Sequence, residues 1–326
     1  MQLIEPEDYY RHLLEEIPRA EKLIVLAAMM ILADRKTQPV LALLGRALER
    51  GVRVQIVVDS YVGYYKSAAV RDAGETAAQR RELIRHTEHT FEQLQAKGAR
   101  VVHVGKVGLN PFAHRCHAKV TIVDDIVYSF GGVNFTSGSF GNADFMLRTQ
   151  SSRLADRLAI LMNDIGNATP MTDFTWPLDR HHEMLFDAGA PRKSIIYERA
   201  CELAAQSVRV WYVSQMVPSG RLGKVLRRTR TASYFNRPEQ GNGVLLAASF
   251  LVDRLMSGVV NLYRRPIYIH AKFMLFELKD GSKALLSGSN NFSWRGVAYG
   301  TKEIALCSTD EVLWQRLYDF MQKEII

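Results

Sequence analysis

Two rhythms of apolar residues run along this chain. Near-continuous aliphatic runs, KLIVLAAMMIL over 22–32 and VRVQIVVD over 52–59, read as strands buried on both faces. Between them, residues 38–50 place apolar side chains three and four apart and stop at Gly51, the pattern of a helix. A polar stretch over 75–97, closed by Gly98, reads as a longer helix, and ARVVHVG after it as a third strand. Pro6 followed by Glu7 and Asp8 marks the first turn of an opening helix. This β-α-β-α-β order predicts an α/β fold with helices covering a sheet.

Two successive strands follow, HAKVTIVDD over 117–125 and IVYSFGG over 126–132, then a helix over 152–166. Residues 169–191 lack periodicity and contain Pro170, Pro177, Gly189 and Pro191, so they read as a linker. Beyond it the order recurs. A helix over 193–206 precedes the strand VRVWYVS, and helical stretches cover 222–229 and 244–256. The strands PIYIHAKFMLFE and KALLSGS follow, then a last helix over 311–323. The chain reads as a tandem duplication, with halves over 1–170 and 171–326.

Each half carries one H-x-K near the end of its sheet. The first block runs from His117 through Lys119 to Asp124, with a glycine turn at Gly131, Gly132 and Asn134. The second runs from His270 through Lys272 to Glu277, with Gly288, Ser289 and Asn291. Alternation along a strand puts His and Lys of each motif on one face. Two such faces brought together surround one point with two imidazoles, two ammonium groups and two amides. That set suits a phosphodiester. One histidine attacks phosphorus, the other moves the proton, and the cations neutralise the phosphoryl oxygens without a metal or cofactor.

The pattern resembles the phospholipase D superfamily, whose motif is H-x-K-x4-D-x6-G-[SG]-x-N. The first block matches in full. In the second, Glu277 stands for the aspartate and about four extra residues around 279–282 lengthen the hairpin. The resemblance implies two α/β halves with facing sheets about a pseudo-twofold axis, helices outside, and the site at their interface. It assigns His117 as nucleophile and His270 as acid/base, with structural roles for Asp124 and Glu277. It also implies acids downstream of each asparagine that hold a histidine, a place taken by Asp144 and Glu303. Flanks such as GGVNFTSGSF and SGSNNFSWRG look like cardiolipin synthases and related phosphatidyltransferases.

Composition narrows the partners. A net charge of +8 favours an anionic partner: a phospholipid or membrane surface, or nucleic acid. The basic stretch Gly220–Arg230 could serve either or be a solvated helix. Two enzymatic readings follow, lipid phosphodiester chemistry and a metal-independent nuclease, with a non-catalytic scaffold as a third. No obligate protein partner is inferred. Three cysteines at spacings that match no zinc pattern read as reduced thiols, with Cys116 in the core. The acidic start lacks a leader pattern and the longest apolar run is too short to span a bilayer, so the expectation is a cytoplasmic protein that meets lipid peripherally. His114 reads as a rim or loop residue, the His181-His182-Glu183 cluster as a solvated loop, and Tyr61, Tyr64 and Tyr65 as loop packing or a substrate wall.

Overall fold

The computed structural model describes residues 1–62, 76–105, 114–241, 251–252 and 257–326. The expected helix over 244–256 is described only at residues 251 and 252, and Tyr64 and Tyr65 lie outside the described residues. Two seven-stranded sheets carry the fold. The first is ordered β1 (Gln2–Ile4), β7 (Met146–Gln150), β6 (Ile126–Ser129), β5 (Val120–Val123), β2 (Leu23–Ala28), β3 (Arg53–Asp59), β4 (Arg100–Val104). The second is ordered β11 (Arg230–Phe235), β10 (Ser207–Ser214), β12 (Phe273–Leu278), β13 (Lys283–Gly288), β14 (Lys302–Ser308), β9 (His182–Ala188), β8 (Phe174–Pro177).

Reversing the second order lays the sheets over each other, with β9, β14, β13, β12, β10 and β11 matching β1, β7, β6, β5, β2 and β3. The duplication is therefore present in topology. In place of β4 the second half has a single parallel bridge between Ser233 and Asn261, and β8 is an addition at the opposite edge.

Alternation along the central strands sorts their side chains into separate cores. Ile24, Leu26 and Ala28 of β2 face a cluster with α1 (Pro6–Glu16), α2 (Gln38–Glu49) and α3 (Ala77–Ala96). Val210 and Tyr212 of β10 face α5 (Ile195–Gln206) and α6 (Gly220–Leu226). The intervening residues, Val25, Ala27, Trp211 and Val213, share one inner cluster with α4 (Ser152–Gly166) and α8 (Glu311–Phe320). The inner faces meet directly where Phe145 lies 5.8 Å from Phe273, and Phe320 of α8 closes on Phe145 at 5.2 Å.

The two inner helices bridge the halves reciprocally. Arg157 of α4 lies over Phe174 of β8, with 4.8 Å to the ring centroid, and Arg316 of α8 donates to the Met1 carbonyl at 2.7 Å. Among the described residues no helix is long and apolar enough to cross a membrane.

Several strands escaped the sequence reading. The expected linker contains the β8–β9 hairpin, and β9 is the counterpart of β1. Its polar ends hid it. His182 is buried rather than in a solvated loop, with Nδ1 2.8 Å from Asp179. Glu183 in β9 pairs with Arg199 at 2.7 Å, while His181 is exposed. Asp187 is also buried, and accepts the Ile195 N–H at 2.8 Å, which starts α5. The helix expected over 222–229 ends at Leu226, and its last residues turn into β11, whose opening Arg-Thr hid a strand that pairs with β10 in parallel. The two motif acids diverge. Asp124 sits at φ 53° in the β5–β6 turn, and its carboxylate accepts N–H groups of Glu21, Lys22 and Leu23 at 2.9, 2.8 and 3.0 Å. Burial raises its pKa, but these donors outweigh burial and hold it below the usual carboxylate range. Glu277 does not repeat this clasp: it stands in β12 between Arg209 and Lys283.

Asp124→Ala removes the acceptor of three backbone donors and should cost roughly 1–2 kcal/mol, whereas Glu277→Ala in its half-exposed strand should stay within about 0.5 kcal/mol. Urea unfolding of the two variants checks this, and equal losses would contradict the divergence.

Candidate active site

The motif histidines do not lie inside strands as alternation predicted. His117 and Lys119 occupy the extended residues just before β5, and His270 and Lys272 those just before β12. Backbone pairing across the halves holds them there. Cys116 bridges to Lys302, and its repeat equivalent Ile269 bridges to Ala143. The His117 N–H donates to the Lys302 carbonyl at 2.8 Å, and the His270 N–H to the Ala143 carbonyl at 3.0 Å. These matched bonds are the pseudo-twofold axis in atomic form.

The acids cross the same axis. Asp144 of the first half lies 2.8 Å from Nδ1 of His270, and Glu303 of the second lies 3.2 Å from Nδ1 of His117. A carboxylate accepts, so each Nδ1 carries the hydrogen and each Nε2 presents its lone pair. The Ser289 carbonyl, 3.3 Å from His117 Nδ1, is a second acceptor for the same hydrogen.

The glycine turns exist so that the acid strands can come this close. A Cβ on Gly131 would stand 1.9 Å from the Phe145 carbonyl oxygen, and one on Gly288 would stand 2.3 Å from that of Ile304. The next residue differs between halves. A Cβ on Gly132 would meet both Asp144 oxygens at 2.7 Å, and its N–H donates to Asp144 at 3.1 Å. The equivalent Ser289 instead donates its hydroxyl to Glu303 and accepts the Ile304 N–H at 3.0 Å. The sequence reading did not single out Ser289. Its signal was the pairing of the smaller residue with aspartate in one copy and the larger with glutamate in the other.

Both lysines are buried, and each ammonium donates to the carbonyl of its own motif histidine, Lys119 at 2.7 Å. Asn134 accepts the Met30 N–H at 3.3 Å through its amide oxygen. Asn291 takes the Ser214 hydroxyl on its carbonyl at 3.0 Å, and its amide oxygen is buried with no hydrogen-bond partner. Such a group costs stability unless a ligand or water completes it.

Burial depresses the basic groups. It pushes His270 down to about 4, assisted by the charge of Lys272, against the contact with Asp144. His117 is lowered by burial and by Lys119, against the pull of Glu303. Lys272 is brought down to about 7 by burial, while Asp144 and Glu303 favour its charged form. Two cations facing two carboxylates leave no excess charge, and a phosphodiester anion entering this set draws protons toward the imidazoles.

A further buried pair was not foreseen. Asp59, at the end of β3, accepts from the Arg115 guanidinium at 2.7 Å and from the Cys116 N–H at 2.6 Å, which anchors the chain directly before His117. Burial pushes the Cys116 thiol up to about 12, in keeping with a core residue. His114 is an exposed residue at φ 55° whose N–H donates to the Tyr299 carbonyl at 3.2 Å.

Residues 13–165 match the family described as "Cardiolipin synthase, PLD-like domain". Cardiolipin synthase B of Salmonella typhi is 25% identical over 199 residues, a match that covers 56% of this chain and 42% of that protein. The chain thus spans less than half the length of that relative. Among solved structures, phosphatidylserine synthase of Haemophilus influenzae is similar with a TM-score of 0.73 at 13% identity, over 100% of this chain and 86% of that one. Polyphosphate kinase from Porphyromonas gingivalis is similar with a TM-score of 0.61 at 14% identity, over 98% and 49%. Both structures share the fold. The first half thus matches a PLD-like domain, and the whole chain shares the fold of these two structures.

Two predictions follow from this geometry. Ring titration by NMR should find both histidines titrating below the ordinary imidazole value of 6.5, His270 at about 4. Lys119→Met should raise the His117 midpoint and Glu303→Gln should lower it. Gly132→Ser should displace Asp144 and cost about 10²-fold in turnover, whereas Ser289→Gly, which frees Glu303 without a clash, should cost roughly tenfold. Equal effects in steady-state kinetics would refute the asymmetry.

Proposed function

We propose that the protein transfers or hydrolyses a phosphodiester of glycerophospholipids through a covalent phosphohistidine, as a phosphatidyltransferase or phospholipase D of cardiolipin synthase-like type. The observation that carries the proposal is the pair of imidazoles, His270 buried and His117 partly so, each held at Nδ1 by the carboxylate of the other half, with Nε2 left free. Binding of the phosphodiester anion lets His270 take up a proton at Nε2 from solvent; His117 Nε2 then attacks phosphorus, and the bond to the leaving alcohol breaks as His270 gives that oxygen the proton. His270 then takes the proton of an acceptor alcohol or water, whose oxygen attacks phosphorus and releases His117. Lys119 and Lys272, with Asn134 and Asn291, stabilise the phosphoryl oxygens as charge develops. Asp144 and Glu303 orient the rings.

The match to a cardiolipin synthase domain and the cardiolipin synthase B relative favour a lipid substrate. The net charge of +8 supports a second reading, a nuclease using the same chemistry.

The test offers labelled phosphatidylglycerol with an alcohol acceptor, and plasmid DNA separately, both in chelator. Lipid turnover is expected, and His117→Ala and His270→Ala should each lower it by at least about 10³-fold. His270→Ala should accumulate an acid-labile adduct on His117. DNA nicking without lipid turnover would replace the lipid reading by the nuclease, and an adduct found only in His117→Ala would exchange the two roles.

A further inference from the structure

In the first half the sheet ends at β4. In the second, the matching place is taken by the irregular segment 258–268, which joins the sheet only at Asn261 and then runs directly into His270. Its inward residues are firmly anchored. The Asn261 side chain donates to the Phe235 carbonyl at 2.7 Å and accepts the Phe235 N–H at 3.2 Å, and Tyr263 is fully buried. Its outward residues are of the opposite kind. Val260 is 72% exposed, Leu262 44% and Ile267 40%, and Arg264 stands exposed among them. Around the Asn261 bridge, alternation sends Val260 and Leu262 to the side opposite Asn261 and Tyr263, and the exposed Arg264 and, past the bend at 266–267, Ile267 follow them along the chain in a strip.

The charge of this strip is one-sided. No aspartate or glutamate occurs between Asp253 and Glu277. Arg264 donates to the backbone carbonyls of Asn261 and Tyr263, both at 2.9 Å, and meets no carboxylate among the described residues. Exposed aliphatic groups beside unneutralised guanidinium groups match the boundary of an anionic bilayer. There the apolar side chains enter the acyl region and the arginines stay with lipid phosphates. A nucleic-acid backbone would use the arginines and leave Val260, Leu262 and Ile267 without a role.

We infer that the strip Val260–Ile267 is the surface by which this protein docks on anionic phospholipid bilayers, with the active site facing the headgroups. The inference rests on the lipid reading above for its occupant. Ile267 and His270 are three residues apart, which an extended chain spans in about 11 Å at most. A bilayer seated on the strip is therefore within reach of the reaction centre, and a headgroup can enter without the lipid leaving the membrane.

The test is sedimentation of the full chain with phosphatidylcholine vesicles, with and without phosphatidylglycerol. Binding is expected only to the anionic vesicles. Val260→Glu with Leu262→Glu should weaken it at least about tenfold, and Arg264→Gln with Arg265→Gln should weaken it and flatten its salt dependence. Turnover of a water-soluble short-chain phosphatidylglycerol should be unchanged in both double variants, which shows that they fold. The inference is overturned if wild type fails to bind anionic vesicles, or if the apolar double variant binds like wild type. Short-chain turnover without vesicle binding would remove the docking surface and leave the proposed function. Strip-dependent binding with no lipid turnover would do the reverse.

Discussion

The exchange of carboxylates across the pseudo-twofold axis is the constraint on which the site depends. His117 is oriented by Glu303 and His270 by Asp144, so neither half can hold its own nucleophilic ring in place. The backbone bridges from Cys116 to Lys302 and from Ile269 to Ala143 set the distance between the halves. The glycines at 131 and 288 let the acid-bearing strands approach that closely. Docking of the halves and assembly of the site are thus one event. The inner core, with Phe145, Phe273 and Phe320 in mutual contact, supplies the apolar burial that drives it.

Gathering four ionisable side chains and two imidazoles in a largely buried space opposes folding. The protein limits that cost by balance: the two lysines face two carboxylates, each lysine is also bonded to a carbonyl, and burial shifts both imidazoles toward the neutral form. The burial that is costly in the empty protein is useful with substrate. A phosphodiester brings one negative charge into a medium that screens it poorly, so the fixed cations act on it strongly.

The candidate site of this chain was legible in its sequence because it rests on residue types at fixed spacings. His117, Lys119, His270 and Lys272 could be paired by the repeat alone, and Asp144 and Glu303 were named through the family resemblance, which implies an acid beyond each asparagine. Which acid serves which histidine was not legible, because the answer lies in the docking of two halves more than a hundred residues apart. The central strands were read correctly where both faces are apolar, as in β2, β3 and β10. The edges were missed for a physical reason. β9 begins with His182 and contains Asp187, buried polar groups satisfied by Asp179 and by the start of α5, and a pattern of apolar residues carries no record of such partners. Ser289 was overlooked for the same reason, since its function is defined by Glu303 on the neighbouring strand.

Duplication did not leave two equivalent histidines. Asp144 is fixed by two backbone donors, Gly132 and Phe145, and stands 2.8 Å from His270, while Glu303 is steadied by a hydroxyl and stands 3.2 Å from His117. A shorter charge-assisted contact from a more rigid acid favours the imidazolium more. Burial and Lys272 outweigh that contact and hold His270 down at about 4, so the contact favours a proton there only where an anion offsets Lys272. An acid/base must hold a proton during one step and give it up in the next, and a nucleophile must arrive without one. The difference between a Gly–Asp and a Ser–Glu pair gives the two copies of one motif unequal imidazoles, the asymmetry on which the proposed division of roles rests.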